Sequence, residues 1–163
     1  MRPKTEPQNM GDEMVQMAIQ MEELGRDFYE ALGVATSYPE IAALCKKLAA
    51  EEGEHRRTFQ QIRSDLARRG LTVLLENDQL AKARQAARDR IVPDQETIVR
   101  VASAGRVIDL IEMAVEMEKD AVRFYTGLAA GLPQDGAIEA VIQEEQKHVR
   151  TLSAIRDRER TPR

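Results

Sequence analysis

One eight-residue word occurs twice in this chain and limits what the chain can fold into. Glu51 to Thr58 and Glu144 to Thr151 both read Glu-Glu-x-x-His-x-Arg-Thr, and the two copies hold both histidines of the 163-residue sequence. On an α-helix, residues three apart project from one face about one turn apart, which pairs Glu52 with His55 and Glu145 with His148. A single Glu-x-x-His is ordinarily a surface ion pair. Repeated, and carrying every imidazole in the chain, it points to a metal ion held by oxygen and nitrogen.

A second pair of words completes the set. Met21-Glu22 precedes Phe28-Tyr29, and Met117-Glu118 precedes Phe124-Tyr125, with seven residues from glutamate to tyrosine each time. The acids fall on stripes that are otherwise apolar. The first helix carries Val15, Ala18, Glu22, Gly25, Tyr29 and Leu32 inward, and the second Ile41, Cys45, Leu48, Glu52, His55, Phe59, Ile62 and Leu66. A third repeats the first at an offset of 96, with Ile111, Ala114, Glu118, Ala121, Tyr125 and Leu128. A fourth repeats the second at an offset of 93, with Ile138, Val141, Glu145, His148, Leu152 and Ile155. Spacings alternating three and four mark the buried face of bundle helices. The expected fold is therefore all-α, a duplicated helical hairpin.

If the hairpins pack about a pseudo-twofold axis, four carboxylates and two imidazoles share one dry level. An unpaired buried charge costs several kcal/mol even after relaxation. Two divalent cations cancel four negative charges, so charge balance favours a dinuclear site. Oxygen and imidazole donors without thiolate suit iron first, a manganese–iron pair second, and zinc as a substitute acquired in purification.

The order Glu…Glu-x-x-His…Glu…Glu-x-x-His is the ligand order of ferritin-like carboxylate bundles. At these residues the chain resembles the rubrerythrin-like branch of the ferritin-like superfamily, over roughly 12 to 157 apart from the connection between the hairpins. The resemblance implies a four-helix bundle with Glu22 and Glu118 as terminal ligands of separate ions. Glu52 and Glu145 would bridge, and His55 and His148 would each cap one ion. Rubrerythrin proper also carries a four-cysteine rubredoxin domain, and a further carboxylate one turn beyond its third-helix glutamate. This chain has the lone Cys45, and Ala121 in place of that carboxylate. Bacterioferritin ligates haem through a methionine where Gly53 stands, so no haem is expected.

Boundaries follow from local chemistry. Residues 1–11 read as a flexible tail, with Asp12 capping a helix to Ala35. Ser37-Tyr38-Pro39-Glu40 reads as a capping box opening the second helix, which Gly70 stops. Residues 71–105 form a long, partly helical crossover: an apolar run 71–75, a helix from Asn77 or Asp78 to Ile91, and a shorter element from Asp94 to Ala104. The third helix spans about Arg106 to Ala130, and Asp135 caps the fourth. Residues 12–158 make up the bundle, and 159–163 close a basic tail that frays from about Arg156. Gly25, costing about 1 kcal/mol against alanine in a helix interior, leaves room for a metal, a substrate or a facing helix.

Composition excludes other classes. Charged residues are 32% with both signs interspersed and a net charge of −4, so no nucleic-acid partner is expected. Aromatics are 4% and tryptophan is absent. No apolar run approaches the roughly 20 residues of a membrane span, and the polar N-terminus carries no signal-peptide core. Cys45 cannot form an intramolecular disulfide and is expected in the core. A cytoplasmic protein is expected, and a homodimer that can exchange its crossover with a partner chain. Glu23, Glu51, Glu54, Glu112, Glu116 and Glu144 lie off the stripes and are expected to face solvent.

The resulting expectation is an oxidoreductase that reacts with hydrogen peroxide or dioxygen, with electrons from a separate donor and Tyr29 or Tyr125 orienting the bound oxygen species. A ferroxidase or iron-storage subunit is the first alternative. A bundle that holds metal for stability is the second.

Overall fold

The computed structural model describes residues 7–71, 81, 85, 92–133 and 136–160. Five helices stand out among them: α1 (Pro7–Ala35), α2 (Pro39–Arg69), α3 (Gln95–Ser103), α4 (Val107–Ala129) and α5 (Ala137–Arg160). No described residue is in a strand.

The stripes anticipated from the repeats become the buried faces. Every inward position named for α1, α2 and α4 is buried, and on α5 only Ile155 keeps partial exposure. Their side chains form two apolar clusters. One gathers Val15, Ala18, Phe59, Ile62, Ala121, Leu128 and Val141. The other gathers Leu32, Ile41, Leu48, Ile111, Ala114 and Leu152, with Ile98 and Ala102 of α3 packed onto it. Fully burying each large side chain contributes about 1.5–3 kcal/mol. Between the clusters, each of the four long helices crosses one polar level: Glu22 on α1, Glu52 and His55 on α2, Glu118 on α4, and Glu145 and His148 on α5.

Cluster membership also fixes direction. From start to end, α1 and α5 pass from the first cluster to the second, while α2 and α4 pass from the second to the first. Helices α2 and α4 thus run the same way, and the chain must travel the bundle's length between them. The result is a ferritin-like helical bundle made of two hairpins, α1–α2 and α4–α5. Part of that return is α3, where Asp94 extends at φ −70°, ψ 165° and accepts from the Thr97 amide at 2.8 Å. Beyond Leu71, the apolar run 71–75 lies outside the described residues, as does the expected cap Asp135; of the helix expected from Asn77 or Asp78 to Ile91 only residues 81 and 85 are described, both helical.

Several boundaries differ from the sequence reading. Helix α1 begins at Pro7, ahead of the Asp12 cap. Asp12 instead pairs with Arg63 of α2 at 2.5 and 2.8 Å, a use that spacing along one helix cannot reveal. The cap of α2 is Tyr38, without a side-chain bond, rather than Ser37. Pro39 at the helix start has no amide to satisfy, and its fixed φ suits the first turn. At the other end of α2, Gly70 takes φ 61° and closes on the Ala67 and Leu66 carbonyls, as a terminal glycine should. Helix α5 continues through Arg156 to Arg160 rather than fraying, and Arg160 reaches Glu112 of α4.

Candidate metal centre

All six side chains singled out by the repeats meet at the polar level. Glu22, Glu52, His55, Glu118, Glu145 and His148 are each 3% exposed or less. They form two overlapping quartets, Glu22–Glu52–His55–Glu145 and Glu52–Glu118–Glu145–His148, whose ligating atoms in each case lie within 4.8 Å of one another. Glu52 and Glu145 belong to both. One glutamate and one histidine are private to each.

The imidazoles point the same nitrogen inward. His55 Nδ1 lies 2.9 Å from Glu145 Oε1 and 3.5 Å from Glu22 Oε2. His148 Nδ1 lies 3.1 Å from Glu145 Oε2, 3.4 Å from Glu52 Oε1 and 3.7 Å from Glu118 Oε1. The outer nitrogens cross the seam between the hairpins. His55 Nε2 donates to Glu144 Oε2 at 2.7 Å, and His148 Nε2 to Glu51 Oε2 at 3.2 Å. A carboxylate holding one ring nitrogen fixes the ring's orientation and raises the basicity of the other, which is how metal-binding histidines are usually supported.

The tyrosines cross the other way. Tyr29 on α1 donates its hydroxyl to Glu118 on α4, and Tyr125 on α4 donates to Glu22 on α1. Both are buried, Tyr125 packing on Phe59 at a ring distance of 4.7 Å. Each hydroxyl therefore holds the private glutamate of one quartet.

A cation fits the first quartet on a specific ground. Glu22 Oε2, Glu52 Oε1, His55 Nδ1 and Glu145 Oε1 are buried atoms with no hydrogen-bond partner, one from each member. The 2.9 Å approach of His55 to Glu145 is close but lacks hydrogen-bond geometry. Buried polar atoms are nearly always satisfied. Four unsatisfied donors to a cation, converging from α1, α2 and α5, are what an ion would satisfy.

Electrostatics agree. Burial, reinforced by the charges of Glu145, Glu118 and Glu22, holds the Glu52 carboxyl well above the usual carboxylate range. Burial and the charges of Glu118 and Glu22 push Glu145 up to about 8. Burial opposes the charge on His55, yet the close carboxylates of Glu145 and Glu22 outweigh it and raise the imidazole to about 11. His148 is raised in the same way by Glu118, Glu145 and Glu52. Glu118 resists burial through hydrogen bonds with His148 and Glu145 and falls below its ordinary value. Protons thus stand where cationic charge is needed, and metal ions would displace them.

Sequence reasoning missed Glu51 and Glu144. Both lie off the inward stripes, which hides them from a reading of helical periodicity, and Glu144 is 55% exposed along its side chain. The signal was the doubled Glu-Glu opening each word: its first glutamate buttresses the histidine of the opposite word. Gly25 is resolved as well: of a metal, a substrate and a facing helix, it is the facing helix α2 that takes the space, through the side chain of Glu52. A Cβ there would lie 2.8 Å from Glu52 Oε2. Cys45 is buried as expected. Among the described residues no helix is long and apolar enough to cross a membrane.

No curated protein and no solved structure matches the chain. The family model described as Rubrerythrin matches residues 13–156, a span that takes in both hairpins and all six converging side chains. On that match the chain belongs to the rubrerythrin family, within the ferritin-like superfamily.

Proposed function

We propose that the protein is a di-iron oxidoreductase that reduces hydrogen peroxide or dioxygen, drawing electrons from a separate donor. The observation that carries this reading is the set of four buried, unpartnered ligating atoms in the first quartet, repeated by pseudo-symmetry in the second. Glu22 and His55 would hold one ion, Glu118 and His148 the other, and Glu52 and Glu145 would bridge. Bound iron would supply the one-electron steps and a Lewis-acid surface for the oxidant.

The rest of the chemistry belongs to the chain. Glu51 and Glu144 keep the two imidazole rings aimed inward. Tyr29 and Tyr125 fix the orientation of Glu118 and Glu22, and each hydroxyl carries a proton beside the centre. In the metal-free fold, burial and the charges of Glu118 and Glu52 hold the Tyr29 phenol well above its ordinary value, so the hydroxyl keeps its proton. The apolar clusters on either side exclude bulk water. A groove of about 910 Å³ between α1 and α2 is lined by Tyr29, Ala49, Gly53 and Arg56, and a small neutral oxidant would enter from that side. The 163 residues hold a single cysteine, too few for a four-cysteine relay among them, and in this reading a separate protein or small molecule delivers the electrons.

The test is stopped-flow mixing of the anaerobic, ferrous protein with one equivalent of hydrogen peroxide. Oxidation within seconds is the expected result. Inertness to peroxide and to dioxygen would discard the reading and leave a structural metal site.

A further inference from the structure

Among the buried positions at which the two hairpins differ, one lies beside a shared carboxylate. Gly25 on α1 corresponds to Ala121 on α4, and both are buried. The absent side chain of Gly25 is filled by a neighbour's carboxylate: an ideal Cβ would lie 2.8 Å from Glu52 Oε2 and 3.3 Å from its Cδ. Real Cβ atoms do not come that close. The carboxylate of Glu52 can therefore occupy its place only because residue 25 is glycine.

The two shared glutamates are also held differently. Glu145 has Oε2 3.1 Å from His148 Nδ1 and Oε1 2.9 Å from His55 Nδ1, so an imidazole faces each oxygen. Glu52 has one imidazole approach, at 3.4 Å, although the Oε1 of each shared glutamate has no hydrogen-bond partner. One carboxylate lies between two imidazoles. The other rests against a bare stretch of helix backbone.

We propose that Gly25 is a positioning residue for Glu52, setting how deeply that carboxylate enters the centre and making the two shared carboxylates unequal. The proposal rests on the reading of the six residues as a dinuclear centre. A methyl at residue 25 would drive the Glu52 carboxylate inward by roughly half an ångström, to reach ordinary van der Waals separation, while the flexible end of the side chain absorbs the contact. The helix itself would gain, since alanine is the better helix former by about 1 kcal/mol.

The experiment is titration of the apoprotein with cobalt(II), following both affinity and the visible d–d absorption that reports coordination. Wild type, Gly25→Ala, Ala121→Gly, Glu52→Asp and the Gly25→Ala/Glu52→Asp double variant are compared. Wild type is expected to take two ions per chain. Gly25→Ala should melt as an apoprotein no lower than wild type, yet bind one ion at least tenfold more weakly with an altered band shape, the order of effect that displaced supporting groups produce. Ala121→Gly should stay within twofold of wild type. The cost of Gly25→Ala should vanish in the Glu52→Asp background, where the shorter side chain is withdrawn from the new methyl. Superimposable titrations of wild type and Gly25→Ala would overturn the proposal, as would a cost that persists undiminished beside Glu52→Asp. A wild-type protein that binds no cobalt would overturn the dinuclear reading itself, a separate and recognisable outcome.

Discussion

The rings of His55 and His148 stack across the seam between the hairpins, with centroids 5.7 Å apart and planes 27° apart. These residues are 93 apart in sequence. They meet because each stands at the same level of the same repeat, and the repeats pack with their polar levels in register. The inner nitrogens face four carboxylates, and the outer nitrogens face Glu144 and Glu51.

Replacing Glu144 or Glu51 with glutamine keeps the shape and removes the charge that supports the imidazole. Metal affinity is expected to fall about 10–100-fold for either substitution, with helicity by circular dichroism unchanged. The effects should be similar for the two, although Glu144 is the more exposed. Competition with a chromophoric chelator measures it.

Removing one tyrosine hydroxyl isolates a buried carboxylate oxygen. Tyr29→Phe strands Glu118 and Tyr125→Phe strands Glu22, and each should cost the apoprotein about 1–3 kcal/mol. Urea denaturation with an unchanged m value checks this. In the metal-loaded protein the same substitutions should slow peroxide-driven oxidation while leaving the metal stoichiometry intact.

Apoprotein stability should fall as pH rises above neutrality. His55, raised to about 11 from an ordinary 6.5, contributes stability that is complete below 6.5 and lost as pH climbs through 11. Glu145, raised to about 8 from 4.5, keeps a proton in the fold that the unfolded chain gives up, so its effect also declines with rising pH, between 4.5 and 8. His148 and Glu52 act in the same directions. Glu118, lowered, works the other way, but its window lies below its ordinary 4.5 and offsets nothing near neutrality. Metal binding releases the same protons and strengthens with pH. The gap between apo and metal-loaded melting temperatures should therefore widen from pH 6.5 to 8 in a calorimetric series.

Phe59 joins the hairpins on one side of the centre, fully buried against Tyr125. Phe59→Ala should cost about 3–5 kcal/mol by cavity formation, with weaker metal binding following from a loosened Tyr125. Thermal denaturation of the apoprotein separates the first effect from the second.

Much of this centre was legible because its chemistry obeys helical periodicity. Glu22, Glu52, His55, Glu118, Glu145 and His148 interrupt apolar stripes at matching levels, and a duplicated word exposes those levels even without a structure. Contacts that cross between helices were not legible. The crossed support of His55 by Glu144, the Asp12–Arg63 pair and the fit of Glu52 against Gly25 depend on which faces meet and how closely, and spacing along one helix carries neither. The long return between α2 and α4 was anticipated from bundle topology. Within its described residues Asp94 opens the shorter element expected there, and the structure adds its role as a side-chain cap.

The decisive measurement is the metal content of protein isolated anaerobically, by elemental analysis, for wild type and for His55→Ala, His148→Ala and the double substitution. Two ions per chain in wild type, about one in each single variant and none in the double variant is the expected pattern. Metal-free wild-type protein that takes up none on addition of ferrous, manganous or zinc ions would contradict it, as would a content indifferent to both histidines.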